Sequence, residues 1–151
     1  MATKATPGKG LVFAINTGTA STPTWTLVGE TFKLDLKPKM GTEEATSFDS
    51  AALEYIATIA DGGELPFSCN RVSTDTGQAA VMAAGPLGAS AGALKQFQVT
   101  APKAVGQTTT GDVWGCSAIV TEFNPAFEPA KKTVMTGVLR ISGLPTYTEG
   151  S

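Results

Sequence analysis

Lys39-Met40-Gly41-Thr42-Glu43-Glu44-Ala45-Thr46-Ser47-Phe48-Asp49-Ser50-Ala51-Ala52-Leu53-Glu54-Tyr55-Ile56-Ala57-Thr58-Ile59-Ala60-Asp61-Gly62-Gly63-Glu64 contains six carboxylates, and no basic side chain follows Lys39 until Arg71. Phe48, Leu53, Tyr55, Ile56 and Ile59 make the same stretch apolar as well as acidic. A disordered acidic tail would lack such aromatic and branched residues. Structureless loops beyond about 12–15 residues are uncommon in compact domains unless they serve a purpose. The simplest reading is an arm, from about residue 38 to 63, whose apolar groups find cover on another copy of the chain. Its middle reads two ways. Phe48, Ala52, Ile56 and Ile59 recur at helical spacing, whereas Leu53, Tyr55, Ala57 and Ile59 would line one face of a strand. A short helical turn or an irregular arm is the favoured expectation.

Short strands and turns surround the arm. Before it, Leu11–Asn16 alternates as a first strand, and Trp25–Leu36 reads as a second whose apolar phase switches near Gly29. A β-bulge at that glycine is expected. After Asp61-Gly62-Gly63, a strong turn signal, Leu65, Phe67 and Cys69 alternate with polar positions. Pro66 cannot donate to a ladder, which predicts an edge strand or a strand beginning near Pro66. Thr76–Ala84 is the one helix candidate, with Asp75 and Gln78 spaced as a capping box and Gly85-Pro86 as a stop. Gln96–Ala101 alternates cleanly, with Gln96, Gln98 and Thr100 on a polar face. Val113–Phe123 is apolar on both parities, as in a central strand covered on both sides. Asn124-Pro125 to Pro129 breaks the chain, Thr133–Ile141 is a last strand, and residues 144–151 read as a frayed end.

This pattern predicts a mainly β domain: a β-sandwich or open barrel of about six strands or more, one flanking helix and a long inter-strand arm. At 151 residues one domain is expected over 1–151, with a flexible tail over about residues 1–9. The net charge of −2 argues against a nucleic-acid binder, which carries a basic stripe. No apolar run reaches the roughly 20 residues of a membrane span, and no signal-peptide core follows the N-terminus, so synthesis in the cytoplasm is expected. Cys69 and Cys116 are the only cysteines, and in that compartment they are expected to be reduced.

Catalytic chemistry finds little footing. The chain has no histidine, which removes the commonest proton shuttle, the Ser-His-Asp and Cys-His nucleophiles and the usual zinc ligands. Thr6-Pro7-Gly8-Lys9-Gly10 lacks the spacing of a phosphate loop. The arm's carboxylates could supply a glycosidase pair, but a solvated or intersubunit charge face is the simpler reading. No enzyme, cofactor or metal is expected. The charges themselves segregate: Lys33, Lys37 and Lys39 precede the acidic arm, and Lys131, Lys132 and Arg140 follow it. Segregated charges can set register between copies. The candidate interface is Lys37, Lys39, Glu43, Glu44, Phe48, Asp49, Glu54, Tyr55, Ile56 and Ile59.

Trp25-Thr26-Leu27-Val28-Gly29-Glu30 followed by Glu44–Ser50, Glu54–Leu65 and a short helix before a Phe97-containing strand resembles the major tail (tail tube) proteins of long-tailed bacteriophages. The resemblance spans nearly the whole chain, and Thr46–Asn70 is its most distinctive segment. It implies a β-sandwich with one flanking helix and a virion protein that assembles into sixfold rings. Those rings would stack into a tube through which DNA passes on infection, with an early loop bridging subunits. It further implies contacts with other copies and with tape-measure, terminator and baseplate components, and only transient, non-specific contact with DNA. The C-terminal immunoglobulin-like domain of some members is not expected at this length. The alternatives are another tail, baseplate, terminator or capsid-decoration protein, or a carbohydrate-binding β-domain.

Overall fold

The computed structural model of the chain describes residues 9–151. Nine strands and one helix follow in order: β1 (Val12–Asn16), β2 (Trp25–Leu27), β3 (Thr31–Leu34), β4 (Lys39–Glu44), β5 (Tyr55–Asp61), β6 (Glu64–Asn70), α1 (Thr76–Ala84), β7 (Leu94–Thr100), β8 (Val113–Ala126) and β9 (Val134–Thr148). Seven strands form one antiparallel sheet in the order β2-β1-β7-β8-β9-β6-β3, and β4 pairs only with β5. Residues 1–8 of the flexible tail expected over about residues 1–9 lie outside the described residues.

The strand order forces the sheet to roll. β2 and β3 are its two edges, yet only Val28-Gly29-Glu30 connects them. On a flat sheet, Phe13 of β1 and Phe67 of β6 would stand four strand spacings apart, about 19 Å. Their rings are 5.1 Å apart. The sheet is therefore curled into an open barrel, with Phe97 and Phe123 stacking onto the same aromatic pair. Ile15, Leu65, Met135 and Leu139 complete a core sealed from water.

One end of this barrel is stoppered by α1, which packs against β1, β2 and β8. Its Val81 and Ala84 are fully buried. Asp75 caps it, accepting from the Gln78 N–H at 2.9 Å, and α1 spans the residues expected of it. The other half of the capping box does not form. Instead the buried Gln78 side chain accepts from the Val72 N–H (3.0 Å) and donates to the carbonyls of Gly29 (2.9 Å) and Asn70 (2.8 Å). Asp75 also accepts from the Gly29 N–H (3.1 Å), so the helix start holds the short strap between the two sheet edges. Gly77 lets the strap pass this close, because a Cβ there would collide with the Leu27 carbonyl oxygen.

Several expected boundaries move for identifiable reasons. The second expected strand is two strands on opposite edges, with Glu30 in a left-handed turn (φ 58°) rather than a bulge near Gly29. Pro66 sits third in β6, between β9 and β3, and is tolerated because β3 stops opposite Phe67 and leaves Asp35 to donate to the Pro66 carbonyl at 3.0 Å. β8 is central, but its outer face is half open (Ile119 is 37% exposed), and a register shift between Val120 and Glu122 produces the mixed parity. Asn124-Pro125 does not end it, because Pro125 still pairs opposite Met135. The end expected to fray is held: β9 runs to Thr148, and the Ser151 carbonyl accepts from Thr108 (2.9 Å) and Thr109 (2.7 Å).

Cys69 (β6, buried) and Cys116 (β8, half-buried) are free thiols, and burial pushes both up to about 11. A thiolate is the reactive species. At pH 8 native protein is therefore expected to react with Ellman's reagent at least tenfold more slowly than denatured protein, and equal rates would contradict this packing.

Candidate inter-subunit interface

β4 and β5 build a two-stranded hairpin standing off the barrel, so the arm is extended where a helical turn or irregular segment was expected. β-branched Ile56, Thr58 and Ile59 with Tyr55 suit a strand, and pairing with β4 satisfies a backbone that sequence periodicity could not assign. Register places Glu43 opposite Ile56 and Glu44 opposite Tyr55, so acidic and apolar side chains occur on both faces. Two residues, Thr58 and Ile59, oppose Gly41, and this shift turns the outer half of the hairpin relative to its root.

The tip is tied across its neck. Ala45 donates to the Glu54 carbonyl (2.8 Å), Glu54 donates to Thr46 Oγ1 (2.9 Å), and Ser47 N–H donates to Ser50 Oγ (3.0 Å). Phe48 stands at the end of this loop, 110% exposed. Ile59 is 89% exposed, and Leu53, Tyr55 and Ile56 are more than half exposed. An isolated two-stranded hairpin is at best marginally stable in water. This one leaves its large apolar side chains uncovered on both faces.

The root is built for a defined angle. Gly62 and Gly63 are buried, and Gly63 adopts φ 73° with its Cα against the Lys37 carbonyl, a place without room for a side chain. Asp61 accepts from the Gly63 N–H (2.8 Å) and pairs with Arg140 (3.2 Å). The Gly63 N–H, and then the Arg140 charge, hold the Asp61 carboxyl below the usual aspartate range. Because this carboxyl ionises more easily when folded, its contribution is complete above the unfolded value of about 3.9 and is lost as pH falls through the lower folded value. Two outcomes follow. The Asp61 side-chain carbon resonance should titrate with a midpoint below that of a free aspartate. Asp61→Asn should speed amide exchange at Gly63 while leaving the midpoint of global unfolding almost unchanged, since the pair is exposed.

The ten candidate residues are all exposed. Lys39 pairs in register with Asp61 at the root, Glu43, Glu44, Tyr55, Ile56 and Ile59 line the hairpin, Phe48 and Asp49 form its tip, and Glu54 closes the neck. Lys37 lies at the root. The C-terminal cations do not gather as one group. Arg140 joins Asp61, Lys131 pairs with Glu128 (3.0 Å), and Lys132 lies over the Phe32 ring at 5.3 Å. Sequence reasoning missed the barrel's second end. There Leu11, Leu36, Pro38, Trp114, Leu144 and Tyr147 line an open apolar cavity of about 560 Å³. The available signal was a set of strand ends rich in apolar residues, which becomes meaningful only once the sheet is rolled. Among the described residues, no group of His, Cys, Asp or Glu side chains could hold a metal ion, and no helix is long and apolar enough to cross a membrane.

No protein-family model matches the chain, and no curated protein matches it significantly in sequence. Solved structures do match. A chain of the six-fold symmetrised anti-feeding prophage baseplate superposes with TM-score 0.72 at 10% identity, over 99% of this chain and 98% of its own. A chain from the tail of the empty gene transfer agent particle, refined with C6 symmetry, gives 0.72 at 14% identity, over 95% and 99%. The SPP1 tail tube gives 0.72 at 12% identity, over 97% of this chain and 80% of that one. The chain has the tail tube fold. At such identities the likeness lies in the backbone path rather than in the side chains. Many different side-chain sets satisfy one inward-outward pattern, so the tail tube fold survives with few residues in common.

Proposed function

We propose that this chain is a structural subunit that assembles with copies of itself into stacked rings, hexameric in number, forming the tube of a phage or phage-like tail through which DNA passes. The observation that carries this reading is a tail-tube-fold barrel bearing an arm with uncovered apolar side chains on both faces. Lys37, Lys39, Glu43, Glu44, Phe48, Asp49, Glu54, Tyr55, Ile56 and Ile59 form the subunit contact. A ring that closes and also stacks needs distinct complementary patches, and an acidic arm with the exposed Lys37 and Lys39 at its root suits that requirement. Fully burying each large apolar side chain contributes about 1.5–3 kcal/mol, which over five such residues is of the same order as the cost of association. Exposed charge pairs add about 0–1 kcal/mol each and act on register rather than strength. The slightly acidic chain also suits a conduit, because few cations meet the phosphates and DNA gains little affinity for the wall. Tape-measure, terminator and baseplate proteins are the further partners, the particle is the final location, and no enzymatic step is involved.

Negative-stain electron microscopy of the purified chain tests this reading. Rings or tubes are expected, and a monodisperse monomer at every concentration and salt tried would overturn it. The baseplate match favours one second reading, a ring that caps or seats a tube. A tube subunit extends without limit, whereas a baseplate or terminator ring stops after one layer.

A further inference from the structure

We propose that the open apolar end of the barrel is the receptacle for the Phe48 tip of a second copy's arm, and that this contact joins copies side by side around one ring. The inference rests on the assembly reading above and names the partner surface that the arm seeks. The barrel is asymmetric along its axis. At the end where β1, β2 and β8 meet the helix, Val81 and Ala84 plug the core. At the opposite end nothing among the described residues does so, and Leu11, Leu36, Trp114, Leu144 and Tyr147 surround a cavity of about 560 Å³, within the size range of built binding pockets. Trp114 and Tyr147 form its wall, with ring centroids 5.3 Å apart.

The arm of the same chain cannot fill this mouth. Pro38 is on the rim, and β4 begins at the next residue, so its six residues carry the tip about 20 Å away. Residues 1–8 (Met-Ala-Thr-Lys-Ala-Thr-Pro-Gly) offer no aromatic or branched aliphatic side chain to fill it. A second copy's tip offers Phe48 and Leu53, both exposed, on a loop that holds Asp49 and Glu54. Charge agrees. Lys9 and Lys37 flank the lining residues Leu11 and Leu36, both lysines are exposed, and neither joins an ion pair among the described residues. Arm and mouth lie at the same end of the barrel. End-to-end stacking would present a neighbour's helix-plugged end to the arm, whereas lateral packing presents its mouth. Touching domains of this size stand on the order of 30–40 Å apart, centre to centre, so a rim-anchored arm reaches the adjacent rim.

The experiment places a benzoylphenylalanine photocrosslinker at position 48 of the full chain, irradiates the assembled material and maps the products by mass spectrometry. In parallel, Trp25→Phe leaves Trp114 as the sole tryptophan, whose emission reports water at the mouth. Rings or tubes that crosslink between copies to the Leu34–Pro38 or Leu144–Tyr147 segments, with a blue shift of Trp114 emission on assembly, support the proposal. Rings or tubes whose position-48 crosslinks fall elsewhere, with unchanged Trp114 emission, overturn it and leave the assembly reading standing. Absence of any assembly under all conditions overturns both.

Discussion

A Gln78→Leu variant is expected to lose about 3 kcal/mol of folding stability, although leucine nearly matches glutamine in size and suits a helix. Among the described residues the Gln78 amide is the sole side-chain partner of the Val72 N–H and of the Gly29 and Asn70 carbonyls, with distances of 2.8–3.0 Å. Leaving a buried polar group without a partner costs about 1–3 kcal/mol, and partial access of water to these strand ends lowers the sum. Part of the loss is offset by the extra apolar surface that leucine buries. For a chain of this length, 3 kcal/mol lowers the midpoint of thermal unfolding by about 10 °C. Urea denaturation followed by circular dichroism checks the magnitude. A loss below about 1 kcal/mol would show that the strap between the sheet edges is held by packing alone. The effect should be cooperative with the barrel, since the strap joins β2 to β3 and its release lets the sheet unroll.

Phe48→Asp should have the opposite profile: unchanged stability of the monomer and loss of assembly. A side chain that is fully exposed in the protomer contributes no intramolecular burial for the substitution to remove. In the assembly the same change forfeits about 2–3 kcal/mol of apolar burial at every subunit boundary. It also forces a carboxylate either into an apolar cavity or out of contact, at a further cost of several kcal/mol. The combined loss corresponds to at least a thousandfold in affinity. Ile56→Asp, halfway along the hairpin, should behave alike. Light scattering and electron microscopy read the assembly, and circular dichroism reads the fold. Loss of the folded signal in either variant would place these side chains in the protomer's own core, and the arm would then not be an interface.

Much of the fold was legible because local chemistry and tertiary context agree. Alternation in Leu65–Cys69 and Gln96–Thr100 marks half-buried strands, and both are strands of the main sheet. Asp75 and Gly85 bound the helix at the residues that cap it. Boundaries went astray where a distant partner overrides a local breaker. Pro125 stays in β8 because β9 continues opposite it, and the polar C-terminus is ordered because Ser151 accepts backbone hydrogen bonds from the Thr108–Thr110 loop. Gln78 looked like a capping residue, since its partners at Gly29 and Asn70 are remote or on the far side of a loop.

The acidic, apolar character of residues 38–63, the mainly β class and the single capped helix are properties of the sequence alone. They follow from composition and short-range spacing, which act before any long-range contact forms. Three things belong to the tertiary structure: the extended form of the arm, the splitting of one expected strand into two sheet edges, and the open apolar mouth opposite the helix. Each depends on which strand lies beside which. Pairing across dozens of residues is set by the total burial of the rolled sheet, a quantity that no local window of sequence contains.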